Sequence, residues 1–246
     1  MAQSPSLEVP FVGWDEFLPA FMSAWSENRS GKAEHLTMVG PTGQGKTTLA
    51  IELLKERVRL FGSHVVIMAT KPKDLTLTKL GWPIIREWPP GYGQEHVIYW
   101  PRFGDVRSAA GRQRKAFEHT MAEIFADGGR TVFIDEVAYF ANTLKMERML
   151  NMFYQQGRSL NLLVVSGTQR PRAVPRTMFS EASWFIAFRT ADEDELRRVG
   201  EIGGTDSNAI RAAMRSLKPH EFLMVRTRTG EMVRSKYAKA RAKAPA

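Results

Sequence analysis

Not one cysteine occurs in the sequence, so disulfides, thiolate metal sites and cysteine nucleophiles are excluded together. That fits a reducing compartment. No apolar run approaches the roughly 20 residues of a membrane-crossing helix. The stretch around His64–Met68 falls far short, and no direct membrane insertion is expected. Met1–Pro10 has neither the basic start nor the apolar core of a secretory leader, so a cytoplasmic location is expected. The 5 histidines show no metal-ligand spacing. Internal repeats, a linker dividing the chain and long low-complexity runs are lacking as well.

What is present is ordinary in bulk: 43% apolar and 25% charged residues over 246 positions, enough for one domain with a substantial core. The charge balance is less ordinary. A net charge of +9 and a pI near 9.9 suit a polyanionic partner. Basic residues gather towards the end, with Arg226, Arg228, Arg234, Lys236, Lys239, Arg241 and Lys243 against a single acid, Glu231. Lys236–Ala246 reads as a solvated basic tail.

Periodicity organises the rest. Trp14, Phe17, Leu18, Phe21, Met22 and Trp25 have the three-and-four spacing of an amphipathic helix. His35–Val39 is predicted to be a buried strand running into a glycine-rich turn, and Lys46–Phe61 a helix ended by Gly62. Further strands are predicted at Val65–Ala69, Val97–Trp100, Thr131–Ile134, Leu162–Ser166 and Trp184–Phe188. Further helices are predicted at Ser108–Ala126, Leu144–Gln156, Asp192–Val199 and Asn208–Ser216. A terminal hairpin of Glu221–Arg226 and Glu231–Ser235 turns at Gly230. Lys71–Glu95 holds Pro72, Pro83, Pro89 and Pro90 and reads as irregular, with room for one short element. Its aromatics Trp82, Trp88 and Tyr92, with Tyr99 and Trp100, read as a packed proline–aromatic unit. Strands alternating with helices imply an α/β fold with a parallel sheet covered on both faces.

Gly40-Pro41-Thr42-Gly43-Gln44-Gly45-Lys46-Thr47 fits G-x-x-x-x-G-K-[ST] at every fixed position. Glycine at 43 and 45 permits backbone angles closed to other residues, so successive N–H groups can turn inward around phosphates. Lys46 is placed to reach the β- and γ-phosphates, Thr47 offers a hydroxyl to Mg²⁺, and Thr48 continues the loop into a helix whose N-terminus favours anions. Thr131-Val-Phe-Ile-Asp135-Glu136 is an apolar strand ending in adjacent carboxylates. Asp135 is the candidate second Mg²⁺ ligand, and Glu136 the candidate base or positioner for water attacking the γ-phosphate. Ligands sit at the carboxyl ends of parallel strands, which places Gln169, after the strand Leu162–Ser166, as a candidate γ-phosphate sensor.

The phosphate loop, the Asp135-Glu136 strand, and Gln155-Gln-Gly157-Arg158 ahead of a strand ending in Thr168-Gln-Arg-Pro171 resemble the FtsK/HerA superfamily of ATPases. Lys71-Pro72-Lys73-Asp74 is similar to the Asp-Pro-Lys that follows the second strand in such motors. The resemblance spans Leu36 to Phe188. It implies a RecA-like (ASCE) P-loop NTPase with a mainly parallel central sheet flanked by helices and a C-terminal hairpin. Residues 35–235 would be the motor domain, 1–34 a helix and loop packed on it, and 236–246 the tail. It further implies a homo-oligomeric ring, hexamer or pentamer, that binds ATP between subunits and translocates or packages double-stranded DNA. A capsid or membrane machine is a further partner the resemblance allows. Arg158 would be the arginine finger, with Arg172 and Arg176 as further candidates for that role or for DNA contact. Membrane helices, long linker and winged-helix reader of the full cell-division translocases are missing. Two other readings stay open: an ATPase powering protein secretion or assembly, and a small-molecule kinase. The Asp-Glu pair, Thr-Gln-Arg-Pro and the lack of a lid pattern weigh against the kinase.

Overall fold

The computed structural model describes residues 9–26, 33–102, 104–201 and 206–238. The N-terminal residues 1–8 and most of the basic tail, including Lys239, Arg241 and Lys243, lie outside the described residues.

The first strand, β1 (His35–Val39), is buried along its whole length and lies within a nine-stranded sheet. The chain leaves it through helix α2 (Lys46–Phe61), which ends as glycine C-caps do: Gly62 takes φ 59° and its N–H donates to the Val58 carbonyl. Next come β2 (Val65–Met68), a single helical turn α3 (Leu75–Thr78), the two-residue β3 (Ile84–Ile85), β4 (His96–Tyr99) and the long helix α4 (Val106–Asp127). β5 (Thr131–Ile134) is followed by a π-helix at Tyr139–Thr143, α5 (Glu147–Gln156), a short 3₁₀ turn at Gly157–Leu160 and β6 (Leu163–Thr168). The chain closes with α6 (Thr177–Ser180), β7 (Ala182–Phe188), α7 (Glu193–Gly200), α8 (Ser207–Ser216), β8 (Glu221–Arg226) and β9 (Glu231–Lys236).

The strand order is β3-β4-β2-β5-β6-β1-β7-β8-β9. Every pairing from β3 to β7 is parallel, and the terminal hairpin adds two antiparallel strands. Side chains of successive strand residues point to opposite faces, and each face has its own core. Val66, Met68, Val132, Ile134 and Val164 pack with Phe117, Met121, Leu150, Phe153 and Met214 from α4, α5 and α8. Val65, Ile67, Leu36, Phe133 and Val165 pack with Leu49, Leu53 and Leu54 of α2 and with the aromatics of α1 (Trp14–Ser26). A sheet buried on both sides explains why its parallel strands read as continuous apolar runs.

Three expectations shift. The segment predicted as one helix over Leu144–Gln156 begins earlier as the π-helix and becomes α-helical only at Glu147. An i→i+5 turn leaves no mark on a search for the 3.6-residue period. The region 71–95 holds two short elements rather than one. The turn α3 is capped by Asp74, whose side chain accepts from the Thr76 and Leu77 N–H groups at 2.9 and 3.2 Å, and β3 is defined by its pairing with β4. The strand predicted at Leu162–Ser166 extends to Thr168. In the aromatic unit, Trp82 packs on His96 and Trp88 edge-on against Tyr99, Trp100 is buried, and Tyr92 alone stands fully in solvent. At the other end, β9 runs through Lys236 and Tyr237 packs edge-on against Trp14.

Candidate nucleotide site

The carboxyl ends of β1, β5 and β6 lie together, and the chain crosses from one side of β1 to the other after β6, so a crevice opens there. In it, Gly40, Gly43 and Gly45 adopt φ of 152°, 79° and 104°. Gly40 has a second reason to be glycine: a Cβ there would stand 2.6 Å from Cβ of Phe188 on β7. The loop is pressed against its neighbour strand and tied to the other side by the Gly40 N–H, which donates to the Thr168 carbonyl.

Lys46 is 7% exposed, and its ammonium donates to the carbonyls of Gly40 (2.6 Å) and Pro41 (2.9 Å). Burial pulls its pKa below the ordinary lysine range against the opposing charges of Asp135 and Glu136, with Lys71 adding to the decrease. Thr47, the second residue of α2, donates from Oγ1 to Oδ1 of Asp135 at 2.6 Å. The other oxygen, Oδ2, accepts from Lys71 Nζ at 2.8 Å. Burial disfavours the charged form of Lys71, but Asp135 and then Asp74 outweigh it and raise its pKa.

Glu136 is held at both oxygens. Oε1 accepts from the Thr168 hydroxyl (2.9 Å) and the Ala138 N–H (3.3 Å), and Oε2 from the Gln169 N–H (3.2 Å). Burial raises its pKa, the three hydrogen bonds oppose the rise, and the Asp135 charge reinforces it. Gln169 in turn accepts at Oε1 from the Thr42 hydroxyl at 2.5 Å. One residue therefore joins the phosphate loop to the Glu136 carboxylate. Gly167, just before it, lets the strands close up: a Cβ there would meet the Asp135 carbonyl at 2.6 Å.

Gly40 to Thr47, Asp135, Glu136 and Gln169 thus share one crevice, whereas the next residue, Thr48, lines a separate groove with Ile51, Glu52 and Lys55. Arg158 does not join them. It sits in the turn before β6, where Gly157 packs beside the His35 ring at the start of β1. The five residues of β1, at about 3.3 Å each, separate it from its own phosphate loop. Arg172 pairs with Asp194 at 2.7 Å, and Arg176 lines a cavity of about 500 Å³ with Arg198 and Arg228.

Several participants carry no role in the sequence reading. Lys71 reaches Asp135 because β2 and β5 are neighbours in register, Met68 beside Ile134. Only the sheet order, which the sequence does not state, reveals this. Its position is fixed from behind by Trp100, whose indole N–H donates to the Lys71 carbonyl at 2.8 Å. Tyr139, in the π-helix after Glu136, donates its hydroxyl to Gln113 Oε1 at 2.7 Å, and the fully buried Gln113 donates from Nε2 to the Thr70 carbonyl at 3.1 Å. His220, at φ 64°, contacts Gln44 by its N–H and ring at 3.4 Å, bringing the terminal hairpin onto the phosphate loop.

Thr47 and Asp135 offer adjacent hard oxygen donors, the set that suits Mg²⁺. This ion takes one or two protein oxygens and completes its shell with phosphates and water. No cage of three or more acidic or histidine side chains exists among the described residues, so the ion would depend on the nucleotide for the rest.

Residues 36–189 match the family model of the ATPases associated with various cellular activities (AAA). The chain belongs to the AAA family of ATPases. No curated protein matches this AAA ATPase in sequence. Among solved structures, it is similar to the genome packaging NTPase B204 from Sulfolobus turreted icosahedral virus 2, at 15% identity and TM-score 0.61, covering 84% of this chain and 97% of that one. It is likewise similar to VirB4 of Thermoanaerobacter pseudethanolicus, at 12% identity and TM-score 0.63, over 84% and 90% of the two chains. The cytoplasmic domain of the type VII secretion ATPase EccC from Thermomonospora curvata aligns at 15% identity and TM-score 0.54, over 86% of this chain and 26% of that one. The expected α/β P-loop NTPase fold, a mainly parallel sheet flanked by helices and closed by a C-terminal hairpin, is thus borne out. Among the described residues, no helix is long and apolar enough to cross a membrane.

Proposed function

We propose that this AAA ATPase is a FtsK/HerA-type motor that assembles as a homo-oligomeric ring and couples ATP hydrolysis to movement of double-stranded DNA. The observation that carries the reading is Gln169, bonded to Thr42 of the phosphate loop on one side and to Glu136 on the other. A group so placed registers occupancy of the γ-phosphate position and shifts the base when it changes. Glycine N–H groups and Lys46 bind the phosphates. Thr47 and Asp135 would hold Mg²⁺, which supplies charge neutralisation on the β- and γ-phosphates. Glu136, aimed by Thr168 and the Ala138 and Gln169 N–H groups, takes the proton of the attacking water. Arg158, at the opposite sheet edge, serves the site of an adjacent subunit, where such a group stabilises transition-state charge.

DNA as cargo is supported by the +9 charge and by the similarity to a genome packaging NTPase. Contacts to backbone phosphates predict weak sequence preference and strong salt dependence. ATP turnover is expected to rise when duplex DNA is added under conditions that allow assembly. Identical turnover with and without duplex would overturn the DNA reading. It would favour the second one, a secretion or assembly ATPase, which the likeness to EccC supports.

A further inference from the structure

Helix α4 has two unlike faces. Inward, Ala109, Gln113, Phe117, Thr120, Met121 and Ile124 are buried. Outward, its first half shows Arg107, Arg114 and Lys115 to solvent with Gly111 between them. These four positions stand at i, i+4, i+7 and i+8, so they share one side of the helix. Among the described residues, Arg107 and Lys115 have no hydrogen-bond or ion-pair partner. Arg114 meets Glu118 at 3.3 Å in an exposed pair, the kind that contributes little.

Gly111 is the telling residue. A glycine in a helix interior costs about 1 kcal/mol relative to alanine, and here nothing in the fold asks for one. An added Cβ would have no atom within 4 Å, and φ does not lie in the left-handed region. Helix geometry and internal packing therefore leave it unexplained. A bare patch of backbone ringed by three cations is what close approach of an external anionic chain requires. Arg107 and Lys115 stand roughly 12 Å apart along the axis, which spans several phosphates of a strand but exceeds a single compact anion.

We propose that this face of α4 is the docking strip for the phosphodiester backbone of duplex DNA. The inference rests on the DNA-motor reading and adds the place of contact. The strip begins at the same sheet edge as the phosphate loop, since α4 follows the carboxyl end of β4. From the inner side of the same helix, Gln113 is bonded to Thr70 and Tyr139. Those residues belong to the two segments that carry Lys71 and Glu136, so a load on the strip bears directly on the carboxylate pair.

The test uses the full chain and a fluorescent random-sequence duplex, with affinity followed by anisotropy over a salt series. Arg107→Glu, Arg114→Glu and Lys115→Glu together should weaken binding at least tenfold and flatten the salt slope by roughly one per removed contact. Gly111→Ala makes a separate check that misfolding cannot imitate. It should raise Tm through helix propensity while weakening duplex binding several-fold. If the parent binds duplex and both variants match it in affinity and slope, the strip is refuted and the motor reading stands. If the parent itself fails to bind duplex, both fall. If Gly111→Ala alone binds as the parent does, contact is by side chains without close backbone approach, and the reason given for the glycine is refuted.

Discussion

Glu136 and His35 show how individual side chains are fixed by their hydrogen bonds. Glu136 accepts three hydrogen bonds that a glutamine could keep only in part, while its capacity to take a proton would vanish. Glu136→Gln is expected to bind an ATP analogue normally and to hydrolyse ATP about 10²–10⁴-fold more slowly, measured by phosphate release. Wild-type turnover would remove Glu136 from its role. His35 is a different case. Its Nδ1 accepts from the Val164 N–H at 3.0 Å and its Nε2 lies 3.1 Å from the Tyr154 carbonyl, which assigns the neutral ring with the proton on Nε2. Burial, partly offset by the Tyr154 bond, lowers its pKa from 6.5 to about 4. The unfolded chain therefore binds a proton that the folded one refuses between those values. Stability should be full above pH 6.5 and fall by about 3 kcal/mol towards pH 4 from this group alone. Denaturant titrations across that range should show a shallower acid loss in His35→Gln than in the parent.

Elements differ in how openly the sequence announces them. Helix α1 is legible because its aromatics repeat at helical spacing, and the structure stacks them: Phe21 lies 5.5 Å from Phe17, 5.3 Å from Trp25 and 5.0 Å from Trp184 on β7. Trp25 and Trp184 are locked at their polar ends by Glu34, through its carbonyl at 3.0 Å and its carboxylate at 2.5 Å. Phe21→Ala should therefore cost about 3–5 kcal/mol, a drop in Tm of roughly 6–20 °C by calorimetry. A loss under 1 kcal/mol would mean that α1 is an appendage rather than part of the core. The phosphate loop and the Asp135-Glu136 strand were equally legible, since their chemistry demands fixed residues at fixed spacing. The segment 71–95 was not, because its turn depends on one cap and its strand on a partner found only in three dimensions. Gln113 and His220, and the contact of Lys71 with Asp135, stayed hidden for the same reason. Each of these contacts is acquired from sheet order.

For the whole molecule, the decisive fact is that Arg158 and the phosphate loop occupy opposite edges of one sheet. A single subunit cannot bring them together without dismantling β1 and β6. Arg158→Ala and Lys46→Ala proteins should each be nearly inactive alone. Mixed together, they should regain part of the ATPase activity, because a Lys46-bearing site can then face an intact Arg158. No recovery at any ratio, with assembly verified by light scattering, would rule out action between subunits.

The order of three strands carries one more consequence. β6 lies between the strand that feeds the phosphate loop and the strand that ends in the carboxylates, and its close fit to Asp135 depends on a glycine. It works as an interlock between two halves of a mechanism. Neither half can move apart from the other without disturbing Thr168 and Gln169, so in the proposed mechanism a displacement of the phosphate loop is carried to the Glu136 carboxylate through a single strand.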